Sequence, residues 1–314
     1  MNRPFSLGLI AALAFVPSSP ALAEWQPAGP ITLNIGFKEG GGTDTQARLI
    51  GSELAKKLGW KFIYKNVVGK GGSKMARRMK GGPTDGLTIG MAVTTTFTFN
   101  PLLGKAIGYS ADDFDFIIST APTQTGLVVR KDSEWRTLKD VVTAAQNKKL
   151  KFGVATPRLG EAARLISKKY GVAFNYVKAK GGRGVLNSLM TKDVDLGFIS
   201  GIHVRAVEAG NLINVASAED ARLRMSPQVP TLKELGIPYQ FGVRFIAFAP
   251  KGIDQKARNA IAAAFKGVLA DEKSKSRAYV DRAFGQPPLV TGNALAKQIA
   301  DELANNKRVF AAIQ

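Results

Sequence analysis

The residues best suited to chemistry in this chain are Phe37-Lys38-Glu39-Gly40-Gly41-Gly42-Thr43-Asp44, where the strand-like run from Ile31 to Phe37 ends in three glycines. A helical pattern follows. Ala47, Leu49, Ile50, Leu54 and Leu58 recur at three-to-four spacing, Thr43 or Asp44 can serve as cap, and Gly59 stops the run. A strand, a glycine turn and a helix N-terminus together aim unpaired backbone N–H groups at one spot, which suits a carboxylate, sulfate or phosphate. A plain tight turn is the other reading, because glycine serves wherever φ must be positive. The spacing is not the G-x-G-x-x-G of a dinucleotide site, nor a P-loop, since no Gly-Lys-Ser/Thr triplet follows.

Other chemistries lack their raw material. The chain has no cysteine, hence no thiolate nucleophile, disulfide or cysteine zinc site. Its single histidine, His203, excludes a histidine metal cluster and fits a packing role. An enzyme would have to draw on Lys38, Glu39, Asp44 and His203, and no nucleophile with a base and an orienting third group can be assembled from them. No motif calls for a cofactor or a metal. The net charge of +20 favours anionic partners through long-range steering. The basic residues are scattered in pairs such as Lys56-Lys57, Arg77-Arg78 and Lys168-Lys169, without a nucleic-acid-binding motif, so no nucleic acid is expected as partner.

The elements that must position the glycine turn read as follows. Arg3, the apolar run Leu7 to Val16 and Ala21-Leu22-Ala23 predict a signal peptide over 1–23, with an exported mature chain from Glu24. A strand over 61–68 ends in a second glycine turn, Gly69 to Ser73, and a helix then runs to about Lys80. A buried strand over 87–93 ends in Thr94-Thr95-Thr96. Strand, helix, strand, helix, strand is the grammar of a mostly parallel sheet covered by helices, whose ligands collect beyond the carboxyl ends of the strands. Near 116–129 the chain crosses into a second lobe with the same grammar: a strand over 150–155, a loop from Thr156 to Glu161, a helix from Ala162, a strand near 173–177, the turn Lys180 to Gly184, and a strand ending at Ser200. A strand over 243–249 and three amphipathic helices return the chain to the first lobe. The division is therefore 24–124 with 240–314 for the first lobe and 125–239 for the second.

In order and spacing, several motifs together resemble the substrate-binding proteins of tripartite tricarboxylate transporters, the Bug family. They are Phe37 to Asp44, Asn66-Val67-Val68-Gly69-x-Gly-Gly, Pro83-Thr84-Asp85-Gly86, Asn100-Pro101-Leu102, Asp112-Asp113-Phe114, Lys180-Gly181-Gly182, Asp193-Val194-Asp195, Val229 to Gly236 and Ala249-Pro250-Lys251-Gly252. The resemblance implies a two-lobed α/β periplasmic binding protein of flytrap type, with the first lobe discontinuous. Its ligand would be a small organic acid, and its partner a membrane transporter or, alternatively, a sensor kinase; a monomer is expected. It also implies ligand-binding roles for Phe37, Gly41, Gly42, Thr43 and Asp44 in the first loop, Thr94, Thr95 and Thr96 after the third strand, Thr156, Gly181 and Gly182 in the second lobe, and Ser200. The chain departs from the family pattern at Lys38 and Glu39, where small residues or proline are usual, at Thr156 to Leu159, where glycine and serine are usual, and at Arg244, where tryptophan is common. Arg158 and Arg244 are thus either direct carboxylate ligands, through the bidentate guanidinium fork, or structural and solvated arginines.

Overall fold

Ile31, Leu33 and Ile35 alternate with half-buried residues and are themselves fully buried. Each contributes roughly 1.5–3 kcal/mol on leaving water, and a one-residue slip would turn all three outward. They form β1 (Ile31–Ile35), the strand that leads into the glycine turn. The computed structural model describes residues 25–313, so the expected leader over 1–23 lies outside them.

β1 runs parallel to β2 (Phe62–Asn66) and to β3 (Thr88–Val93), with α1 (Gly42–Leu58) and α2 (Ser73–Met79) in the connections. The short α3 (Thr95–Thr98) follows β3 at once. β4 (Phe114–Pro122) completes the first sheet only with the help of a late strand, β10 (Arg244–Pro250), which lies antiparallel between β3 and β4. The order is β2-β1-β3-β10-β4.

The second sheet has the order β7-β6-β8-β5-β9. Here β6 (Lys151–Val154) is parallel to β7 (Asn175–Lys178) and β8 (Leu196–Ser200), while β5 (Thr125–Arg130) is antiparallel to β8 and to β9 (Leu212–Ser217). Both sheets are therefore mixed: β10 in the first and β5 in the second run against the other four strands of their sheet, which share one direction. The covering helices are α4 (Leu138–Asn147), α5 (Pro157–Tyr170), α6 (Gly181–Met190) and α7 (Val204–Glu208) on the second sheet. On the first they are α8 (Gln255–Ala270), α9 (Lys275–Ala283) and the start of α10 (Gly292–Ile313).

Two passages link the sheets, β4 to β5 and β9 to β10, and a carboxylate ties them together. Glu219 accepts from the Thr125 N–H (2.6 Å) and the Thr123 hydroxyl (2.9 Å), and Thr123 Oγ1 accepts from the Val243 N–H. Burial pushes the Glu219 carboxyl up to about 7 against those donors. α10 spans the same boundary. Leu295 and Ile299 pack in a core of the first sheet with Phe97 and Phe248, whereas Val309 packs in the core of the second with Phe152 and Phe241. Between them Glu302 accepts from the Thr98 hydroxyl (2.8 Å), and Asn306 receives the Arg158 Nε–H (2.7 Å).

Candidate ligand-binding site

Helix ends bring the interesting groups together. α4, α5, α8 and α9 are each capped by a side chain: Thr137, Thr156, Asp254 and Ser274 accept from an amide of the first turn. The glycine-led α1 and α6 carry no such cap; their N-cap residues are Gly41 and Lys180. First-turn amides of an uncapped helix await an acceptor and carry the positive end of its dipole. In both turns a glycine takes positive φ, Gly40 at +72° and Gly181 at +74°, a region costly for residues with a Cβ.

The two uncapped turns face one another across Ile202. A Cβ on Gly42 would lie 3.6 Å from Ile202 Cγ2, and one on Gly182 would lie 3.7 Å from its Cδ1. The glycine turns of the two sheets are thus within one side chain's length of each other. Phe284 and Phe245 back the same spot at 2.9 and 3.4 Å from the Gly42 position. Their rings lie 4.6 Å apart and give the site an apolar wall.

Asp44 holds the first turn in shape. Its carboxylate is buried and accepts from the Gly40 N–H (2.9 Å), Arg48 Nε (2.9 Å) and Asn66 Nδ2 (2.8 Å). Asn66 also donates to the Phe37 carbonyl (2.9 Å) and accepts from Arg48 Nη2 (3.0 Å). Phe37 itself packs at the edge of the apolar core. Asp44 therefore acts on the turn, and the amides of Gly42 and Thr43 are the groups left for an anion.

Thr94, Thr95 and Thr96 are buried where β3 meets α3. Thr94 Oγ1 accepts from the Arg244 N–H (3.2 Å), and Thr96 Oγ1 donates to the Gly71 carbonyl (2.9 Å). Tyr109, its hydroxyl pushed up to about 12 by burial, donates to the Thr96 carbonyl (2.6 Å). These hydroxyls join the second glycine turn to the end of β3. On the opposite sheet Ser200 Oγ shares a hydrogen bond with Thr125 Oγ1 (2.8 Å) and stays half-buried.

The stretch expected as a loop from Thr156 to Glu161 is instead the start of α5, with Thr156 as N-cap and Pro157 at the first helical position, whose fixed φ suits that place. This helical turn carries Arg158 inward. Arg158 is 1% exposed and spends its guanidinium on Asn306 Oδ1, the Phe241 carbonyl (2.5 Å) and the Gln240 carbonyl (2.7 Å). Burial lowers its pKa while Glu302, Glu219 and Asp220 raise it. The guanidinium is closed off from solvent and braces the passages between the sheets. Arg244 is different: half-buried, at the N-terminal end of β10, with its backbone paired to Thr94 and to β4. His203 is fully buried, its Nε2 3.1 Å from Asn214 Oδ1, and burial holds its pKa down at about 4.

Several groups at this seam carry no sequence signal of their own. Ile202, Phe284, Tyr279 and Arg183 come from distant parts of the chain and meet only in the fold; Arg183 alone sits inside a turn already recognised, Lys180 to Gly184. A separate cavity of about 840 Å³ lies between β4, α8 and α10, with Lys251 on its wall paired to Asp115 and Arg258 donating to the Phe116 carbonyl. Among the described residues no group of three or more metal-binding side chains is found, and no helix is long and apolar enough to cross a membrane.

Residues 46–314 match the family described as tripartite tricarboxylate transporter family receptor. A UPF0065 protein from the gbd 5′ region of Cupriavidus necator is 31% identical over 261 residues, covering 82% of this chain and 79% of that protein. MatC from Rhodopseudomonas palustris, solved with bound malate, is 25% identical with a TM-score of 0.80, covering 90% of this chain and 99% of that one. An R. palustris protein solved with adipate shares the fold at 24% identity and a TM-score of 0.81, over 90% of this chain and 96% of its own.

Proposed function

We propose, because the chain belongs to the tripartite tricarboxylate transporter receptor family, that it is a periplasmic solute-binding protein that captures a small organic carboxylate and delivers it to a membrane transporter. The observation that carries this reading is the pair of uncapped helix N-termini, α1 and α6, meeting across Ile202. Backbone amides bind a carboxylate by charge-assisted hydrogen bonds without burying a full countercharge. The malate in MatC, 25% identical, supports the same ligand class.

In this reading the ligand's carboxylate rests on the amides of Gly42 and Thr43, with Gly41 and the Thr94 to Thr96 hydroxyls shaping that side. Gly181 and Gly182 close from the other sheet, with Thr156 and Ser200 nearby. The lobes are 24–124 with 240–314, and 125–239, and α10 lies across their boundary as a strap. Closure follows from tighter contact of the ligand with the closed form. No bond is made or broken, and the acid is released unchanged.

Thermal unfolding of the mature protein, refolded to strip carried-over ligand, tests the reading against malate and a panel of other carboxylates. A ligand at one hundred times its Kd adds about 2.7 kcal/mol to stability, so the midpoint rises with concentration, and mass spectrometry recovers the acid intact. A flat midpoint across the panel, or recovery of a changed acid, overturns it. Uptake of the bound acid by cells with and without the gene tests delivery.

A further inference from the structure

Arg183, in the first turn of α6, reaches across the seam to the other sheet's glycine turn. Its Nη2 would lie 3.2 Å, and its Nε 3.8 Å, from a Cβ placed on Gly40. The positive φ of Gly40, +72°, favours glycine there, and the missing side chain leaves the fork close to the turn. A second guanidinium belongs to Arg205 on α7, the helix whose Glu208 pairs with Arg282 across the seam. Burial raises the pKa of Tyr279 on α9, whose ring lies 5.7 Å from that of Phe284, while Thr45, Arg205 and Arg183 draw it down. Arg48 pairs with Asp44 and Glu39, and Arg282 with Glu208 across the seam. Among the described residues, no carboxylate pairs with Arg183 or Arg205. Two like charges at one seam repel, and an anionic group between them relieves the repulsion.

We propose that Arg183, supported by Arg205, grips a second carboxylate on the ligand, so that this site selects dicarboxylates over monocarboxylates of the same length. The inference rests on the carboxylate-binding reading above and adds to it the side chains that set specificity. The first carboxylate sits on the α1 amides, which any carboxylate can use. The second meets the α6 turn, where the Arg183 fork offers two parallel N–H donors in the plane of a carboxylate. Because Arg183 also lies over the Gly40 turn, the ligand's distal end and the closing of the seam are coupled through one side chain.

The test is calorimetric titration of the wild type, Arg183→Ala, Arg183→Lys and Arg205→Ala with matched pairs: succinate and butyrate, adipate and hexanoate, with malate as a further dicarboxylate. Arg183 is exposed, so its removal leaves the thermal midpoint without ligand unchanged and the variants remain comparable. The wild type binds at least one dicarboxylate about tenfold or more tightly than its monocarboxylate partner, and Arg183→Ala erases that preference by weakening the dicarboxylate about ten- to hundredfold. Arg183→Lys recovers part of the loss, as a point charge without the fork, and Arg205→Ala loses about threefold. A preference that survives in Arg183→Ala overturns the proposal and leaves carboxylate capture standing. Equal weakening of both members of a pair also overturns it, by making Arg183 a latch and not a selector. A wild type that binds neither kind overturns this proposal together with the reading it rests on.

Discussion

The two glycine turns that face each other across Ile202 share a backbone and differ in bracing. Each puts a positive-φ glycine at or just before the start of an uncapped helix that follows a parallel strand. The first is fixed by the buried Asp44 carboxylate, which collects an amide of its own turn, Arg48 from its own helix and Asn66 from the next strand. The second has no side-chain cap on its helix, and its Lys180 and Arg183 are exposed. In the proposed reading, a preformed anchor on one sheet and an adjustable, charged clamp on the other bind an anion before closing on it. Rigid donors cost no reorganisation when the ligand arrives, whereas exposed arginine chains can adapt to its length.

The largest effect that sharpens this contrast is expected from Asp44→Ala. It strands the Gly40 amide, Arg48 and Asn66, and lowers stability by about 3 kcal/mol, read by urea unfolding. Lys180→Ala in the second turn stays within about 0.5 kcal/mol. Equal losses from the two would remove the distinction between anchor and clamp.

A pH series probes the ground beneath the clamp, where buried His203 adjoins Ile202. Its pKa is about 4 in the fold against 6.5 as the ordinary value, so between those pH values the unfolded chain binds more protons. The stability due to neutral His203 is present above 6.5 and is lost as pH falls towards 4, by up to about 3 kcal/mol. Glu219, raised to about 7 by burial, contributes with the opposite sign over part of this range. The histidine contribution is therefore read as the difference in slope between the wild type and His203→Gln, and parallel slopes would show that His203 is not held neutral.

The smallest effects come from adding a methyl group to each turn. Gly42→Ala sets a Cβ 2.9 Å from Phe284 Cζ and 3.4 Å from Phe245 Cζ, an overpacking that costs about 1–2 kcal/mol after the gain in helix propensity. Gly182→Ala meets nothing nearer than 3.7 Å and is neutral or stabilising by about 0.5 kcal/mol. Chemical denaturation midpoints of the two variants decide it, and the reverse order would mean that the second turn is the tighter one.

Much of the scaffold was legible because it is local. The alternation of Ile31, Leu33 and Ile35, the glycine stop at Gly59, and the amphipathic runs of α8, α9 and α10 depend on near neighbours in the chain. The start of α5 was not legible as helix: Thr-Pro-Arg-Leu-Gly reads as a loop, yet a threonine cap followed by proline at the first helical position is a helix start in its own right. Arg158 and Arg244 looked alike in sequence, as arginines at unusual places. Burial against Asn306 and the Gln240 and Phe241 carbonyls separates the first from solvent, and residues some 80 to 150 positions away cannot be read as its partners beforehand.

The sequence by itself determined that glycine turns stand at the carboxyl ends of strands in both halves, that the chain has neither thiol nor histidine cluster, and that its charge favours anions. Those follow from residue types and periods of two and 3.6. Only the tertiary structure decided which of these turns meet, that Ile202 stands between them with Phe284 and Phe245 as the apolar wall, and that Asp44 braces one turn while Arg183 reaches over it from the other. Such meetings depend on how two sheets, exchanging strands through two passages, are set against each other, and that relation is long-range packing that no local pattern encodes.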